Sequence, residues 1–354
     1  MSERSILVVG AGITGLICAR RLKQMGMQVR VFEKSRGFGG RVATRRISVT
    51  TQAGSVSHMP VDHGTQYVSP KSEAFQAQLQ ELQQADIVTE WARSRHVLDE
   101  NGLHSDDKYA PRYIGLAGMA AIAKHLAAEL DVVTETRVTR IHRQPNSWVI
   151  RTEGNREESS AGVVIAVPAP QALEILKSAT NAGEIAASDS AIGALQAARY
   201  APCLAVMAGY AETTPKPAWQ GVQWLGHDAI AWTALDSSKR NASTFPAIVL
   251  HSTADFARQY LDATHADLEA AGRHLLYLAS QELGAWLAEP DWLQVHRWRY
   301  AFPETTASEL SFAISTAETR APLVLAGDWC ASPRVEGAFL SGLDAAVRLA
   351  KTLA

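Results

Sequence analysis

Cysteine is scarce in this chain of 354 residues, which has three, at positions 18, 203 and 330. No two of them form a C-x-x-C pair, and this spacing argues against a disulfide framework and against a zinc site, so we expect three reduced thiols. The sequence also lacks an apolar run near the roughly 18 residues of a membrane-spanning helix. Lys and Arg number 34 against 36 Asp and Glu, so net charge indicates neither nucleic acid nor an acidic membrane as partner.

Internal repeats and low-complexity tracts are absent as well, which excludes solenoid and disordered classes. The length predicts two or three domains, and 47% hydrophobic residues are ordinary for a globular protein. A nucleotide-binding motif begins at Ile6 and leaves no room for a cleavable signal, so we expect a cytoplasmic enzyme.

What the sequence does contain is a glycine-rich turn directly after an apolar tetrad. Residues 6–9 are typical of a strand buried on both faces, and Gly10, Gly12 and Gly15 follow. These glycines permit a tight turn, close approach of the backbone to a pyrophosphate, and close packing of the next helix, whose N-terminus favours phosphate. Glu33 follows a second strand, residues 29–32, near the spacing expected of an acid that binds ribose hydroxyls. The pattern predicts a Rossmann-type dinucleotide site.

The rest of the chain predicts a second domain inserted into the first. We expect a helix over 72–86 with Ser72 as N-cap, a surface loop over 99–110, and a helix from Gly118 that places Ile122, Leu126 and Leu130 on one face. Residues 137–168 are typical of a β-meander followed by a strand that rejoins the parallel sheet. Mixed strands and a helix over about 266–287 occupy residues 172–296, and the strand before Asp328 returns to the nucleotide sheet.

Five motifs resemble those of the bacterial renalases, within the flavin amine-oxidase superfamily. They run over nearly the whole chain: Phe32-Glu-Lys-Ser-Arg-Gly-x-Gly-Gly-Arg41, Asp62-x-Gly-x-Gln-Tyr67, Val164-Ile-Ala-x-Pro-Ala-Pro-Gln171, His296-Arg-Trp-x-Tyr-Ala301 and Gly327-Asp-Trp-Cys-x-x-x-Arg-Val-Glu-Gly-Ala338. The glycine motifs resemble the FAD fingerprint in general, and the last two motifs narrow the family. His63 departs from the pattern, since an apolar residue is expected there.

The resemblance implies an α/β fold with non-covalent FAD. It consists of a Rossmann-type FAD-binding domain with a parallel sheet and a β-meander, plus a discontinuous mixed α+β substrate (cap) domain. The predicted boundaries are 1–70, 112–171 and 297–354 for the FAD-binding domain, and 71–111 and 172–296 for the substrate domain.

The resemblance also implies the reaction, in which misreduced dihydro isomers of NAD(P)H are oxidised to NAD(P)+ and dioxygen is reduced to hydrogen peroxide. A dihydropyridine gives hydride directly to flavin N5, so no general base is required. The site must supply stacking surface, correct distance and shielding from water. The expected partners are therefore a small-molecule dinucleotide and O2, without metal, nucleic acid or membrane.

The predicted site residues fall into three sets. Those expected to contact the cofactor are Gly10, Gly12, Thr14, Gly15, Glu33, Lys34, Gly39, Gly40, Arg41, Gln66, Val138, Asp328, Val335 and Gly337. Those expected to stack on or position the substrate are Tyr67, Trp298 and Tyr300, and further substrate contacts are assigned to Val68, Trp224, Trp232 and His251.

Two arginine pairs have contrasting expected roles. Arg36 or Arg41 can offer a forked donor to phosphate. Trp298 and Tyr300 share one face of a strand by its two-residue period, so Arg297 and Arg299 point the other way, as surface charges.

Two alternative functions stay open from sequence. One is a flavin amine oxidase or desaturase acting on a small amine or apolar substrate, and the other is a non-catalytic flavin redox sensor. Many amine oxidases place a lysine near flavin N5, whereas Lys216 and Lys239 lie in Pro-rich or polar loop sequence. That placement disfavours the amine oxidase without excluding it, because fold alone does not decide function.

Overall fold

A computed structural model describes residues 5–50, 56–106, 110–186, 189–240, 245–314 and 321–353. The strands in this part of the chain are β1 (Ser5–Val9), β2 (Gln28–Phe32), β3 (Thr44–Thr50), β4 (Val56–Asp62), β5 (Val88–Ala92), β6 (Arg95–Asp99), β7 (Gly102–Asp106), β8 (Arg112–Gly115), β9 (Asp131–Val133), β10 (Val138–Gln144), β11 (Ser147–Thr152), β12 (Glu157–Ser160), β13 (Gly162–Ile165), β14 (Tyr200–Gly209), β15 (Gly221–Trp224), β16 (Ile230–Leu235), β17 (Ala247–Ser252), β18 (Trp292–Pro303), β19 (Ser311–Ile314) and β20 (Leu323–Ala326).

The helices alternate with these strands along the chain. The α-helices are α1 (Ile13–Gln24), α2 (Glu73–Gln84), α3 (Ala120–Ala127), α4 (Ala169–Asn181), α5 (Ser190–Ala197), α6 (Ala254–Arg258), α7 (His265–Leu283), α8 (Asp328–Ala331) and α9 (Val335–Leu353). Short 3-10 helices cover Gly40–Val42, Asp236–Lys239 and Ala285–Ala288. None of the helices described is long and apolar enough to cross a membrane.

The chain forms two compact units, and the first contains the parallel sheet. This unit comprises residues 1–41, 122–200 and 302–354. Its sheet has the order β19-β20-β13-β1-β2-β9, in which β19 alone runs antiparallel to its neighbour. β1 lies in the middle of the sheet, and residues 6–9 are buried as an apolar tetrad in a parallel sheet requires. The predicted Rossmann-type sheet is confirmed.

The predicted meander is also confirmed, as the three-stranded antiparallel sheet β10-β11-β12. Its inner face belongs to one hydrophobic core with helix α4, in which Trp148, Ile150 and Leu176 are buried. The indole Nε1 of Trp148 donates to the carbonyl of Ala321 at 3.0 Å, so this large side chain is buried without losing a hydrogen bond.

The second unit comprises residues 42–121 and 201–301 and is built on a seven-stranded sheet. The strand order is β18-β14-β17-β16-β15-β6-β7. One face packs against α7, where Leu250 and Leu275 share a core. The other face is covered by the hairpin β3-β4, with Met59 and Val61 packed against Met207. Alternation along β14 and β17 explains this two-faced burial, since successive side chains point to opposite faces.

The predicted helices are present with shorter bounds. Ser72 accepts a hydrogen bond from the amide of Phe75 and caps α2 as predicted. Helix α3 ends at Ala127, so Leu130 lies beyond it. The long helix ends at Leu283 because Gly284 has φ +128°, and its last predicted residues form a separate 3-10 turn.

One predicted loop is wrong in the part that the structure describes. Residues 99–106 were expected to be a surface loop, but β6 and β7 form a hairpin in which Leu98 pairs with Leu103. The signal was weak because β7 lies at the sheet edge and exposes most of its polar side chains. Residues 107–109 of the predicted loop lie outside the described part of the chain.

The compact units and the predicted domains are divided at different residues. The segment 42–70, assigned from sequence to the FAD-binding domain, groups with the second unit because β3 and β4 pair with each other and pack on Met207 and Val249. Helices α4 and α5 group with the first unit, where they share its core. The functional domain boundaries themselves stay a prediction.

Candidate functional site

The three glycines of the glycine-rich turn have two different structural roles. A Cβ on Gly10, which has φ +104°, would lie 2.6 Å from the carbonyl oxygen of Ala166. A Cβ on Gly15 would lie 1.9 Å from the Gly10 carbonyl oxygen, so both positions require glycine for packing. A Cβ on Gly12 would meet nothing within 4 Å. Gly12 therefore borders open space at the start of α1, which fits a backbone cradle for a pyrophosphate.

Glu33 holds the glycine loop from the end of β2. Its buried carboxylate accepts the amide of Ala11 at 2.9 Å and the amide of Ser35 at 2.8 Å, one on each oxygen. Gly39 donates its amide to the carbonyl of Ala11 at 2.8 Å. The structure thus brings the first glycine loop, the acid and the second glycine pair together. Each carboxylate oxygen keeps a second lone pair, as a ribose-binding acid requires.

Arg41 binds a carboxylate of its own chain. Its two terminal nitrogens donate to the two oxygens of Asp328 at 2.7 Å each, a bidentate pair. The forked donor expected for phosphate is thus directed to Asp328, and Arg36 is exposed. This pair joins the second glycine segment to the short helix α8, so Asp328 is fixed beside the predicted cofactor loop.

The remaining predicted cofactor residues of this unit lie on nearby elements. Lys34 donates to Gln171 at 3.2 Å, and burial together with the charge of Arg137 lowers the pKa of its ammonium. Thr14 is buried on α1, and its carbonyl oxygen lies 2.5 Å from where a Cβ on Gly342 of α9 would be. The others take positions on β10 and α9: Val138 begins β10, Val335 begins α9, and Gly337 lies in the first turn of α9.

In the second unit, Asp62 is the centre of a buried cluster of charges. Its carboxylate accepts from Thr44 Oγ1 at 2.6 Å and from the amide of Met119 at 2.8 Å. It also pairs with Lys239 at 3.3 Å and with Arg240. Burial opposes ionisation of Asp62, and the two cations outweigh it, so the pKa of Asp62 is held below its usual range.

Lys239 completes this cluster. Its ammonium has no exposed surface and binds Asp236 at 2.7 Å and the side-chain oxygen of Gln66 at 3.2 Å, in addition to Asp62. Two acids and two bases make the cluster formally neutral. The sequence interpretation of Lys239 as part of a polar loop is corrected, because it ends the buried 3-10 helix Asp236–Lys239. Lys216 is exposed, as its loop sequence indicated.

Gln66 is committed to this cluster by its whole side-chain amide. Its nitrogen donates to the carbonyls of Asp62 and Gly64, and its oxygen accepts from Lys239. Only the Gln66 backbone is left for the predicted cofactor contact, which stays a prediction. The side chain instead fixes the turn that carries His63 and Tyr67.

A group of rings lies around His63, which sequence analysis singled out only as a departure from the family pattern. The indole Nε1 of Trp298 donates to the His63 carbonyl at 2.9 Å, and the two rings stack with centroids 5.4 Å apart. His296 packs edge-on against both rings, and His251 Nε2 lies 3.3 Å from the same carbonyl. We call His63, His251, His296 and Trp298 the histidine–tryptophan cluster.

The three histidines of this cluster are neutral near pH 7. Burial, reinforced by neighbouring positive charge, lowers the pKa of His63 to about 3, and burial lowers the pKa values of His251 and His296 to about 4 each. No carboxylate of the described residues pairs with this cluster. It therefore offers flat, uncharged rings with hydrogen-bonding edges.

Tyr67 contacts a second set of rings on the same unit. Its ring centroid lies 5.7 Å from that of Trp232 and 6.3 Å from that of Trp91, and the guanidinium carbon of Arg112 lies 5.3 Å from it. Val68, next in sequence, pairs through its backbone with Tyr113.

Three other predictions have different outcomes. Trp224 lies in the core beneath α7, and its indole donates to Thr233 at 3.0 Å, so the structure does not bring it to the histidine–tryptophan cluster. Tyr300 is half-buried on β18 with Trp298. Arg299 is an exposed charge, as expected, that pairs with Asp262 and donates to the carbonyl of Leu261. Arg297 is half-buried instead and donates to the carbonyls of Tyr260 and Ala263.

Replacement of Gly12 by leucine should abolish binding of the predicted FAD while the chain still folds. The new side chain would fill the open space beside the helix N-terminus without meeting protein atoms. Gly15→Ala should instead prevent folding, since its Cβ meets backbone. Flavin absorbance reports bound FAD and far-ultraviolet circular dichroism reports folding, so together they distinguish a folded variant without FAD from an unfolded one. Gly193→Leu, at an open helical position, is the matched control, and normal flavin content in the Gly12 variant would contradict the cradle.

Replacement of Glu33 by alanine should weaken FAD binding roughly ten- to a hundredfold, because hydrogen bonds to a charged group contribute about 1.5 to 3 kcal/mol. Titration of apoprotein with FAD measures the change. Glu33→Gln keeps the shape of the side chain and one acceptor oxygen, so its loss of FAD affinity should be smaller than that of the alanine variant. Equal affinity in the alanine variant would mean that Glu33 serves neither the loop nor the ribose.

Lowering the pH should destabilise the protein partly through His63. Its folded-state pKa, about 3, lies below the unfolded value, so the stability that it contributes is present above about pH 6.5 and is lost as the pH falls toward about 3. Measured by urea unfolding, the free energy of unfolding of His63→Leu should rise relative to that of wild type as the pH is lowered. The expected rise is up to about 1.4 kcal/mol per pH unit in that range. His104→Gln, at an exposed histidine, is the control. A pH-independent difference would show that His63 is not buried in its neutral form.

Comparison with known proteins agrees with these sites. The sequence profile of the flavin containing amine oxidoreductase family matches residues 96–350, and that of an NAD(P)-binding Rossmann-like domain matches residues 8–82. Renalase of Mus musculus is 25% identical over 96% of this chain and 96% of its own. A zeta-carotene-forming phytoene desaturase of Myxococcus xanthus is 58% identical over 38 residues, 11% of this chain and 7% of its own.

Solved structures show the same fold at low sequence identity. Putrescine oxidase bound to putrescine has a TM-score of 0.69 at 14% identity, covering 98% of this chain and 99% of its own. Cyclohexylamine oxidase from Brevibacterium oxydans IH-35A has a TM-score of 0.67 at 13% identity, covering 98% of each chain. With its Rossmann-type sheet, its glycine loop and these matches, the chain belongs to the flavin containing amine oxidoreductase family, as a renalase-like oxidoreductase whose cofactor is FAD.

Proposed function

We propose that this protein oxidises misreduced dihydro isomers of NAD(P)H, with dioxygen as the final acceptor. In balanced form, the dihydro isomer, O2 and a proton give NAD(P)+ and H2O2. A relative that matches nearly the whole chain is a renalase, in keeping with this proposal. The FAD is proposed to be non-covalent, held by the glycine loop, Glu33 and Asp328.

The observation that carries the proposal is the neutral, aromatic character of the histidine–tryptophan cluster. Trp298 presents an indole whose N–H is already bound to the His63 carbonyl, so the ring is held in place before a ligand arrives. A flat dihydropyridine can stack on such a surface, and correct placement of the donor carbon is the main requirement of hydride transfer. Tyr67 and Tyr300 are proposed to add to the same aromatic wall.

Bound FAD supplies the two-electron acceptor, and the protein needs to supply only binding, orientation and exclusion of water. The product is an aromatic cation, so no side chain has to remove a proton from the reacting ring. The neutral histidines suit this task, because a cationic imidazole would repel the positive charge that forms.

The alternative of an amine oxidase or desaturase keeps one specific observation in its favour. Lys239 is buried and bonded to Gln66, a predicted neighbour of the flavin. Against it, the Lys239 ammonium already has Asp62, Asp236 and Gln66 as acceptors. The carboxylates of that cluster are likewise paired, so they offer no free partner to a cationic amine.

Anaerobic stopped-flow reduction tests the proposal against this alternative. We expect the 2- or 6-dihydro isomers of NAD(P) to reduce the flavin rapidly, ordinary 4-dihydro NAD(P)H much more slowly, and primary amines or catecholamines hardly at all. Air should then restore the oxidised spectrum with stoichiometric peroxide. Denaturation should release intact FAD.

The Trp298→Ala variant separates binding of the cofactor from placement of the substrate. It should slow reduction by the dihydro isomers while leaving FAD bound, because the lost surface positions the substrate. Arg299→Ala, which removes an exposed side chain of the same strand, is the control. Fast bleaching by an amine, with no response to any dihydropyridine, would replace the proposal by an amine oxidase.

A further inference from the structure

Two buried donor groups beside Tyr67 have no acceptor. Arg112 is 5% exposed and Trp232 is 7% exposed, so each side chain is more than nine-tenths buried. The Nη1 atom of Arg112 and the Nε1 atom of Trp232 have no hydrogen-bond partner. Both side chains contact the Tyr67 ring, at 5.3 Å for the guanidinium carbon and 5.7 Å for the indole centroid. Neither group can accept a hydrogen bond through these atoms, so only an acceptor can satisfy them.

The Arg112 guanidinium also lacks a counter-ion among the described residues. Two described acids close to Arg112 in the chain or the sheet are committed elsewhere: Asp106 pairs with Arg95, and Glu90, on the strand β5 that pairs with β8, pairs with Arg93. The buried acids Asp62 and Asp236 are neutralised by Lys239 and Arg240. A buried cation without a partner is unfavourable, and the Tyr67 ring compensates it only in part.

We propose that Arg112 and Trp232 form a binding site for the phosphate oxygens of the dinucleotide substrate, beside the ring of Tyr67. This inference rests on the proposed function. A phosphate supplies the negative charge that the guanidinium lacks and several acceptor oxygens, enough for both donors beside the Tyr67 ring. The site would favour an anionic dinucleotide over a cationic amine.

The position of these residues suits a ligand that also reaches the histidine–tryptophan cluster. Trp232 pairs directly across the sheet with His251, whose Nε2 contacts the His63 carbonyl. Tyr67 follows His63 by four residues on the segment fixed through Gln66. One unit therefore holds both a stacking surface for the ring and a donor pair for the phosphates.

Binding of oxidised ligands to the FAD-loaded protein tests the site without turnover. Isothermal calorimetry should show that Arg112→Met weakens NAD+ binding roughly ten- to a hundredfold. The affinity of the same variant for nicotinamide riboside, which lacks phosphate, should change less than about twofold. Trp232→Phe keeps the aromatic surface and removes the N–H, so its affinity for NAD+, and not for the riboside, should fall a few-fold. Arg112→Lys keeps the charge without the forked donor, so its affinity for NAD+ should lie between those of wild type and Arg112→Met. Arg93→Met, at a paired and exposed arginine, is the matched control.

The unfolding temperature of Arg112→Met distinguishes a binding role of Arg112 from a purely structural one, because the two roles predict changes in opposite directions. Replacing an unpaired buried charge by an apolar group of similar length is neutral or stabilising. Without dinucleotide, Arg112→Met should therefore unfold at the same temperature as wild type or higher. A clear decrease in unfolding temperature, with unchanged NAD+ affinity, would show that Arg112 only supports Tyr67 and would overturn the proposal.

Two further outcomes separate this inference from the proposed function. An equal loss of affinity for NAD+ and for nicotinamide riboside in Arg112→Met would refute a phosphate site, whatever the reaction. If no dihydropyridine reduces the wild-type flavin, the proposed function fails, and inorganic pyrophosphate becomes the probe. Binding of pyrophosphate to wild type and not to Arg112→Met would still support the site, and its failure to bind wild type would refute it.

Discussion

The buried carboxylate of Asp62 is the constraint on which the turn that carries His63 and Tyr67 depends. It receives two cations and two neutral donors from three separate segments of the unit, because Lys239 and Arg240 are adjacent. Removing one partner of a buried ion pair typically costs about 3 to 5 kcal/mol, because the remaining charge stays buried. The turn that follows Asp62 is thus held firmly, and Gln66 extends the same network by binding Lys239. Rings placed on this turn keep their positions without help from a ligand.

In the first unit, the predicted binding site is formed by closely packed backbone rather than by aromatic rings. Gly10 and Gly15 allow the strand, the turn and the helix to approach closely, and the Glu33 carboxylate ties the loop down through the amide of Ala11. Of the three glycines in this turn, Gly12 is the one that faces open space. Each unit therefore has a recognition set suited to one kind of ligand group: oriented amides in the first, and neutral rings with two unpaired donors in the second.

The sequence predicted those features whose determinants are local. The apolar tetrad before Gly10, the acid at position 33, the Ser72 cap and the meander all rest on neighbouring residues, and the structure contains each of them. The hairpin β6-β7 was missed because its edge strand has little apolar alternation. The pairing of Arg41 with Asp328 was not predicted, since Asp328 lies 287 positions away, and a phosphate contact of Arg36 or Arg41 stays a prediction.

The charge cluster and the rings around His63 could not be predicted for the same reason. Lys239 meets Asp62 across 177 positions, and Trp298 meets the His63 carbonyl across 235. Periodicity places such residues on strands, but it does not show which strands lie side by side. The nearest signal was the spacing of Asp236 with Lys239 and Arg240, which allows one short turn to present an acid beside two bases.

A crystal structure of the FAD-loaded protein with bound NAD+ is the most direct test of the proposed substrate site. We expect the nicotinamide ring to stack against Trp298 and His63, with phosphate oxygens within hydrogen-bond distance of Arg112 Nη1. A nicotinamide ring bound away from this cluster, with Arg112 and Trp232 still lacking partners, would contradict it.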